Sequence, residues 1–278
     1  MRYSIGTHKG LLDLSSPRVM AILNITPDSF YTSCGTSCGT LCEDDILSAA
    51  ERAISQGADI LDIGACSTRP NSTPVDGNEE WSRLAPALKA IRHHWQNIVI
   101  SVDTFRADIA HHAIELGADM INDVYGGQAD SNMLKVISQH KVPYVLTHSI
   151  DIPAVDNYDP TLSQVVAFLQ QQLNILHQQG VVDVIIDPGF GFAKTQEQNY
   201  TLLEQLDVIQ NLHAPILVGI SRKSMLYKPL NISSHDALPA TIAANMAALE
   251  RGANILRVHD VIEARQTISV FNLINKRQ

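Results

Sequence analysis

Eight short apolar runs rich in β-branched residues recur along the chain, and segments with helical spacing separate them. The clearest helical segment places Trp81, Leu84, Leu88, Ile91 and Trp95 three or four residues apart, so these side chains share one face. Strands that alternate with helices pair in parallel through right-handed crossovers, and eight such units close naturally into a barrel. The runs are residues 19–25, 60–63, 98–102, 120–121, 143–146, 184–186, 216–218 and 255–258. The pattern predicts an α/β fold, a (β/α)8 TIM barrel, with a doubly wound open sheet as the structural alternative.

A weak internal repeat marks the boundaries between helices and strands. Gly57-Ala58-Asp59, Gly117-Ala118-Asp119 and Gly252-Ala253-Asn254 each follow a helical segment and precede an apolar run. Glycine is the residue that most readily takes the left-handed conformation at the end of a helix. The first helix is expected to start at a Thr40-x-x-Glu43 capping box. Residues 3–14, with Gly10 as a turn, are expected to form a short N-terminal cap or hairpin at the barrel bottom.

Size and composition suit one globular domain. The chain has 278 residues, 45% of them apolar, and a barrel of this class uses about 250. No composition break or linker divides it, so we predict a single domain over residues 1–278. The net charge of −9 argues against a general surface for nucleic acid or anionic lipid. No apolar run approaches the ~20 residues of a membrane span, and residues 1–9 lack a signal-peptide core, so we expect a soluble, cytoplasmic protein.

Three of the four cysteines are evenly spaced. Cys34, Cys38 and Cys42 are each separated by three residues, and Cys66 stands apart. Such a cluster could ligate a soft metal, but it lacks the CxxC pairs or the later histidine pair typical of zinc sites. Free thiols are therefore the favoured interpretation, with metal binding or redox chemistry as the alternative.

Polar side chains follow all eight apolar runs. The segments concerned are residues 24–29, 62–70, 103–104, 122–123, 147–148, 187–192, 221–224 and 257–260. Any one of them could be a helix N-cap, since Asp, Asn, Ser and Thr are favoured there. In a barrel, however, the carboxyl ends of all strands meet at one rim, where barrel active sites lie. Eight polar ends at one rim predict a ligand rich in hydrogen-bond donors and acceptors.

These residues fall into two chemical groups. Asp103, Asn122 and Asp187 offer oxygen acceptors that suit a planar heterocycle with amino and ring N–H donors. The second group supplies cationic donors that suit a phosphate or a carboxylate. Its members are Arg69, Lys223, Arg257 and His259. A substrate with a guanidine-like heterocycle at one end and a phosphate at the other fits both groups.

At these positions the sequence resembles the dihydropteroate synthases, which join 7,8-dihydropterin-6-ylmethyl diphosphate to 4-aminobenzoate in folate biosynthesis. The resemblance runs from about residue 19 to residue 261. It rests on the segments 20–30 (MAILNITPDSF), 67–70 (STRP), 121–123 (IND), 187–192 (DPGFGF), 221–224 (SRKS) and 257–261 (RVHDV). It implies a (β/α)8 barrel, an alkyl- or aryl-group transferase that releases diphosphate, and a homodimer.

The resemblance also implies roles for individual residues. The pterin ring would be held by Asp103, Asn122, Asp187 and Lys223, with the guanidinium of Arg257 stacked on it. The diphosphate would contact Asn24, Arg69 and His259, and Asn24 would also ligate a Mg²⁺ ion, which takes few protein ligands. The 4-aminobenzoate would lie against Thr68, Arg69, Pro70, Phe192, Lys223 and Ser224, with its carboxylate near Ser224 and the following helix N-terminus.

The implied mechanism is a dissociative displacement at the pterin methylene carbon. Diphosphate would leave as Mg²⁺, Arg69 and His259 stabilise its charge, and the arylamine would then attack the pterin cation. On this interpretation the catalytic residues are Asn24, Arg69, Lys223 and His259. No residue has to act as a covalent nucleophile.

Three departures from the family pattern are evident. The first loop reads Tyr31-Thr32-Ser33-Cys34 in place of an acidic, glycine-rich turn, Ala65-Cys66 replaces Gly-Glu, and Thr147 replaces a methionine. Two alternatives therefore stay open. One is a pterin-dependent methyltransferase of a related barrel family, although it has no need of the 67–70, 221–224 and 257–261 motifs. The other is a catalytically silent pterin-binding paralogue, favoured by the altered first loop.

Overall fold

Eight parallel strands form one sheet, preceded by a two-stranded antiparallel hairpin. The structure, a computed structural model, describes residues 3–26, 42–66, 75–153 and 159–275. The hairpin consists of β1 (Ser4–Thr7) and β2 (Gly10–Asp13). The eight parallel strands are β3 (Arg18–Asn24), β4 (Ile60–Gly64), β5 (Val99–Asp103), β6 (Met120–Asp123), β7 (Tyr144–Thr147), β8 (Val184–Asp187), β9 (Leu217–Val218) and β10 (Ile255–Val258). Their spatial order is β8-β7-β6-β5-β4-β3-β10-β9.

The two ends of this sheet meet and close it. A parallel bridge joins Ile186 to Ile216, and the Ile186 N–H donates to the Pro215 carbonyl at 2.9 Å. The predicted TIM barrel is confirmed, and the open-sheet alternative is wrong.

Helices surround the barrel and connect successive strands. They are α1 (Glu43–Ser55), α2 (Gly77–His94), α3 (Ala107–Glu115), α4 (Met133–His140), α5 (Thr161–Gln178), α6 (Gln196–Glu204), α7 (Leu206–Ile209), α8 (Ser224–Tyr227), α9 (Leu238–Glu250) and α10 (Val261–Ile274). The predicted face of α2 packs as expected, with Leu84, Leu88 and Ile91 buried and Trp81 and Trp95 packed against the same core. The predicted Thr40-x-x-Glu43 capping box is wrong, because α1 begins at Glu43 with Cys42 as its N-cap and has no side-chain cap bond. Thr40 itself lies outside the described residues.

The three Gly-Ala repeats end helices α1, α3 and α9 in the same way. Gly57, Gly117 and Gly252 have φ values of 99°, 97° and 96°. After α1, the Gly57 N–H donates to the Ile54 carbonyl and the Ala58 N–H to the Ala53 carbonyl, and the same pair of bonds follows α3 and α9. This is the Schellman motif, which satisfies the last carbonyls of a helix. The prediction that these glycines stop the helices is confirmed.

The barrel interior is apolar at the bottom and polar near the rim. At the bottom, the first inward residue of every strand joins Ile5 and Leu14 of the hairpin segment in a separate apolar cluster. The strand members are Met20, Ile60, Val99, Met120, Val145, Ile185, Leu217 and Ile255. The hairpin therefore closes the barrel bottom, as expected. The outward residues of the strands, such as Leu61 and Ile63, pack against the helices instead.

Most strands extend further towards their carboxyl ends than the apolar runs predict. Asp103, Asp123, Thr147 and Asp187 are the last residues of their strands and do not lie in the following loops. Polar side chains are tolerated in these strands because their backbones stay in the ladder while alternate side chains face the barrel interior. The candidate residues are thus held by the rigid sheet. Among the described residues, no helix is long and apolar enough to span a membrane.

Candidate active site

The strand register places four inward positions at one level near the rim. Asn24 is opposite Gly64, Gly64 opposite Asp103, and Asp103 opposite Asn122. Gly64 lies between two polar neighbours, and a Cβ there would lie 3.4 Å from Asp103 Cβ and 3.7 Å from Asn24 Oδ1, in contact with both. Three predicted site residues therefore lie close together at one level, with only a glycine between Asn24 and Asp103.

Arg257 is anchored by two carboxylates across the barrel. Its Nε donates to Asp62 Oδ2 and one terminal nitrogen to Asp103 Oδ2, both at 2.6 Å. Asn122 Nδ2 also donates to Asp62 Oδ2, at 3.0 Å. Because these bonds use the edge of the guanidinium, its orientation is fixed and its flat faces remain suited to stacking.

Asp62 is the residue at the centre of this network that the sequence did not single out. It is fully buried in β4, and it holds both Arg257 and Asn122 in position. The sequence signal was a lone acid in an otherwise apolar strand, where an unpaired charge would be very costly.

Two buried acids around one cation shift the ionisation of the cluster. Burial raises the pKa of Asp103 to about 7, and nearby Asp62 adds to this while Arg257 opposes it. Burial alone would lower the pKa of Arg257, but Asp62 and Asp103 raise it above its ordinary value. Arg257 is therefore a permanent cation, and Asp103 is the group that changes charge near neutral pH.

An Asp103→Asn variant should reveal this ionisation in the unliganded protein. The pKa of Asp103 is higher in the folded than in the unfolded state, so the folded state binds more protons between about pH 4 and pH 7. Its contribution to stability is present at low pH and is lost as the pH rises through this window. We expect the free energy of unfolding of the wild type, relative to the variant, to fall by on the order of 3 kcal/mol. Urea unfolding at several pH values measures this, and a constant difference would contradict the assignment.

Three buried polar atoms inside the barrel have no hydrogen-bond partner among the described residues. They are Asp62 Oδ1, Ser101 Oγ and Thr147 Oγ1, from three strands. Each such atom costs about 1–3 kcal/mol when it is left unsatisfied. They mark the upper interior as a place where a polar ligand or water would be stabilised. Thr147, one of the departures from the family pattern, thus faces the same interior.

Asp187 stands opposite a space that a glycine leaves open. The Gly189 N–H donates to Asp187 Oδ1 at 2.7 Å and fixes the carboxylate. A Cβ on Gly219 would lie 4.0 Å from Asp187 Oδ2 and 3.8 Å from Arg257 Cβ and Cδ. The Asp187 carboxylate and the Arg257 side chain therefore both border the position at Gly219 that carries no side chain. Burial raises the pKa of Asp187, against the attraction of Lys223.

Lys223 and Phe192 form the adjoining wall. Lys223 Nζ lies 4.2 Å from the centre of the Phe192 ring and donates to the Phe190 carbonyl. Burial lowers the pKa of this ammonium to about 8, although Asp187 opposes the shift. Ser224 is the first residue of α8. Because α8 is a single turn, its helix dipole is weaker than the sequence suggested.

Lys194 organises the loop after β8, and it was missed in the sequence because it follows the DPGFGF motif. Its ammonium donates to the carbonyls of His148, Gly189 and Phe192 at 3.1, 3.0 and 3.2 Å. It also lies 3.0 Å from His148 Nδ1. Burial lowers the pKa of Lys194 to about 7 and, together with Lys194, that of His148 to about 4. This loop in turn positions Asp187 and Lys223.

Replacing Lys194 with methionine should loosen this loop. Three carbonyls lose a shared donor, and each unsatisfied buried group costs about 1–3 kcal/mol, so we expect a net loss of about 2–3 kcal/mol after relaxation. Urea unfolding measures this effect. Lys135→Met, at an exposed position of α4, is the matched control, and equal behaviour of the two variants would exclude the role.

His259 and Lys223 are positioned by a pair of connected loops. Ser221 Oγ accepts from the His259 backbone N–H at 3.2 Å and lies 3.0 Å from His259 Nδ1, which orients the ring. Arg222 donates two bonds to Asp260, at 2.8 and 2.9 Å. Arg222 also has a φ of 55°, in the left-handed region that residues other than glycine seldom adopt. The ion pair between Arg222 and Asp260 could not be predicted from the motif alone.

Several sequence expectations lie outside the described residues. These are the roles of Thr68, Arg69 and Pro70, the first loop with Tyr31, and the thiols of Cys34 and Cys38. Cys42 and Cys66 carry free thiols. Of the departures from the family pattern, Ala65 is buried in the main core. The described site thus brings together Asn24, Asp103, Asn122, Asp187, Phe192, Lys223, Ser224, Arg257 and His259 at one rim.

Comparison with known proteins agrees with this geometry. A family model described as pterin binding enzyme matches residues 20–259. The dihydropteroate synthase of Clostridium beijerinckii is 38% identical over 262 residues, covering 93% of this chain and 94% of that protein. The Escherichia coli dihydropteroate synthase is 36% identical over 265 residues, covering 93% and 92%.

Solved structures give the same result. Dihydropteroate synthase from Xanthomonas albilineans with 4-aminobenzoic acid superposes with a TM-score of 0.89 at 32% identity, covering all of both chains. The Clostridium difficile dihydropteroate synthase in the presence of pteroic acid gives 0.87 at 35% identity, covering 95% of this chain and 98% of that one. The chain belongs to the pterin-binding enzyme family and, within it, to the dihydropteroate synthases of folate biosynthesis.

Proposed function

We propose that the barrel rim binds the pterin between Asp187 and Arg257 and performs the condensation with 4-aminobenzoate there. The observation that carries this assignment is the position beside Gly219, where a Cβ would lie within 4.0 Å of both the buried Asp187 carboxylate and the anchored Arg257. Asp187 and Asn122 would accept from the amino and ring N–H groups, and Arg257 would stack on the ring. The unpartnered oxygens of Asp62, Ser101 and Thr147 line the same interior.

The proposed mechanism assigns binding and electrostatic tasks to the chain's own residues. Arg257 and Lys223 hold the electron-rich pterin while the bond from its methylene carbon to the diphosphate oxygen breaks. His259, held by Ser221, donates to the departing diphosphate with Arg69. Such preorganised donors are typically worth about 2.7–4 kcal/mol each in the transition state. Thr68, Pro70, Phe192 and Ser224 would then orient the arylamine for attack on the carbon.

A magnesium ion fits the donor set at Asn24. The side-chain oxygen of Asn24 is a hard ligand at the rim, next to Gly64, which has no side chain to cover it. Mg²⁺ is commonly held by one or two protein oxygens together with substrate phosphates and waters. When bound, the ion would neutralise charge on the diphosphate.

Measurement of diphosphate release tests the proposed function directly. The purified protein would receive dihydropterin methyl diphosphate and Mg²⁺, with and without 4-aminobenzoate. We expect release coupled to dihydropteroate formation. Tight pterin binding without turnover would instead indicate a silent paralogue, and failure to bind the pterin would overturn the assignment of the pocket.

We also propose that the chain forms a homodimer through α9 and α10, and that its single barrel functions in the cytoplasm. Five large apolar side chains are exposed on these neighbouring helices: Ile242, Ile262, Val270, Leu273 and Ile274. Such a concentration is typical of interaction surfaces, and a twofold dimer is the commonest assembly. The cytoplasmic location rests on the sequence alone.

A Leu273→Glu variant tests the proposed interface, because a buried unpaired charge would oppose association. We expect sedimentation to show a dimer for the wild type and at least a tenfold weaker association for the variant. Leu11→Glu, at an equally exposed apolar position on β2, is the control. A monomeric wild type would contradict the proposal.

A further inference from the structure

A group of potential metal ligands lies in the last turn of α3, outside the active site. His111, His112 and Glu115 each offer one ligand atom, and these atoms all lie within 4.8 Å of one another. Because α3 runs antiparallel to the strands, its last turn lies towards the barrel bottom, away from the rim. None of these three side chains takes part in the proposed reaction.

The ligand atoms of the group lie close enough together to converge on one ion. His111 Nε2 lies 3.5 Å from Glu115 Oε1, and His112 Nδ1 lies 3.6 Å from Glu115 Oε2. Ligands bound to zinc at about 2.0–2.1 Å in a tetrahedron are about 3.4 Å apart. The two distances use different oxygens of the Glu115 carboxylate, so binding through one oxygen requires side-chain rotation within the 4.8 Å that the three ligand atoms span. The exposure of all three residues gives an ion direct access from solvent.

Residues from two other helices orient the two imidazoles. His111 Nδ1 lies 2.8 Å from His140 Nε2, at the end of α4, so a proton is shared between these two nitrogens. When Nδ1 of His111 donates, its Nε2 carries the lone pair that a metal requires. The His112 ring packs 5.4 Å from the Trp81 ring of α2. A hydrogen bond at the second ring nitrogen, as His111 makes to His140, is the usual support of a metal-bound histidine.

We propose that His111 Nε2, His112 Nδ1 and the Glu115 carboxylate bind one zinc-type divalent cation, with the fourth position open to water. Two imidazoles and one carboxylate favour zinc and its neighbours in the transition series over magnesium and calcium, which prefer oxygen ligands. The site is separate from the magnesium proposed at Asn24. All three ligands belong to α3, so binding would stiffen the turn that leads through Gly117 into β6 and Asn122.

Calorimetric titration of the metal-free full-length protein with Zn²⁺ tests this site. We expect one saturable site with 1:1 stoichiometry, and no comparable binding of Mg²⁺ in the absence of substrate. Glu115→Gln and His112→Ala should each weaken Zn²⁺ binding at least about tenfold, and His140→Phe should weaken it through His111. His235→Ala, an exposed histidine elsewhere on the surface, is the matched control.

Hydrogen exchange provides a second readout that locates the ion. Zn²⁺ should slow exchange of the backbone amides of Leu116, Gly117 and Ala118, which bond back to the last turns of α3. Thermal unfolding without metal checks that the variants fold. Zn²⁺ affinity that is equal in the wild type and in both ligand variants, or the absence of a saturable site, would overturn the proposal and leave only a surface ion pair.

Discussion

Asp187→Asn is expected to weaken pterin binding by about 30- to 100-fold while leaving the barrel folded. A hydrogen bond to a charged group contributes about 1.5–3 kcal/mol, and each 1.4 kcal/mol corresponds to a factor of ten in affinity. The amide has one oxygen, for which the Gly189 N–H already competes at 2.7 Å. Its NH₂ would then face a donor of the pterin.

The fold should tolerate this change because burial already makes the Asp187 charge costly, as its raised pKa indicates. Isothermal titration with a dihydropterin measures the affinity, and urea unfolding measures the stability. Asp183→Asn is a matched control at the opposite end of β8, where Asp183 accepts from the Gly6 N–H at 2.9 Å. Unchanged pterin affinity in Asp187→Asn would remove Asp187 from the pocket.

Gly189→Ala should have the largest effect on folding of the substitutions considered for this site. Gly189 has a φ of 78°, and a Cβ there would lie 1.8 Å from the His148 carbonyl oxygen. The backbones after β7 and β8 would have to separate, which breaks the Lys194 contacts as well. We expect a loss of more than about 3 kcal/mol, since overpacking and left-handed strain add.

Gly180→Ala separates these two causes. Gly180 has a nearly identical φ of 81°, but a Cβ there meets nothing within 4 Å. It should therefore show only the conformational cost, about 1 kcal/mol. Chemical unfolding of both variants gives the comparison. Similar losses at the two positions would show that the close approach to His148 does not matter.

The sequence by itself determined the barrel and which polar side chains lie at its rim. Helical spacing, the Gly-Ala stops and the eight apolar runs act locally, within one helix or one strand. Once the strands pair in parallel, the carboxyl ends of all of them lie at the same rim. For this reason Asp103, Asn122, Asp187 and Arg257 could be placed at one rim from the sequence, even though the strand ends were misplaced by a residue or two.

Tertiary structure alone decided which side chains contact one another across the barrel. Arg257 and Asp62 are 195 residues apart in sequence, and their bond depends on barrel closure and on which side chains face inward. Lys194 likewise takes its role from three carbonyls on two loops. Such contacts depend on distances in space, which no local pattern contains. The sequence therefore specified the residues available for binding, and the closed barrel specified the network that holds them.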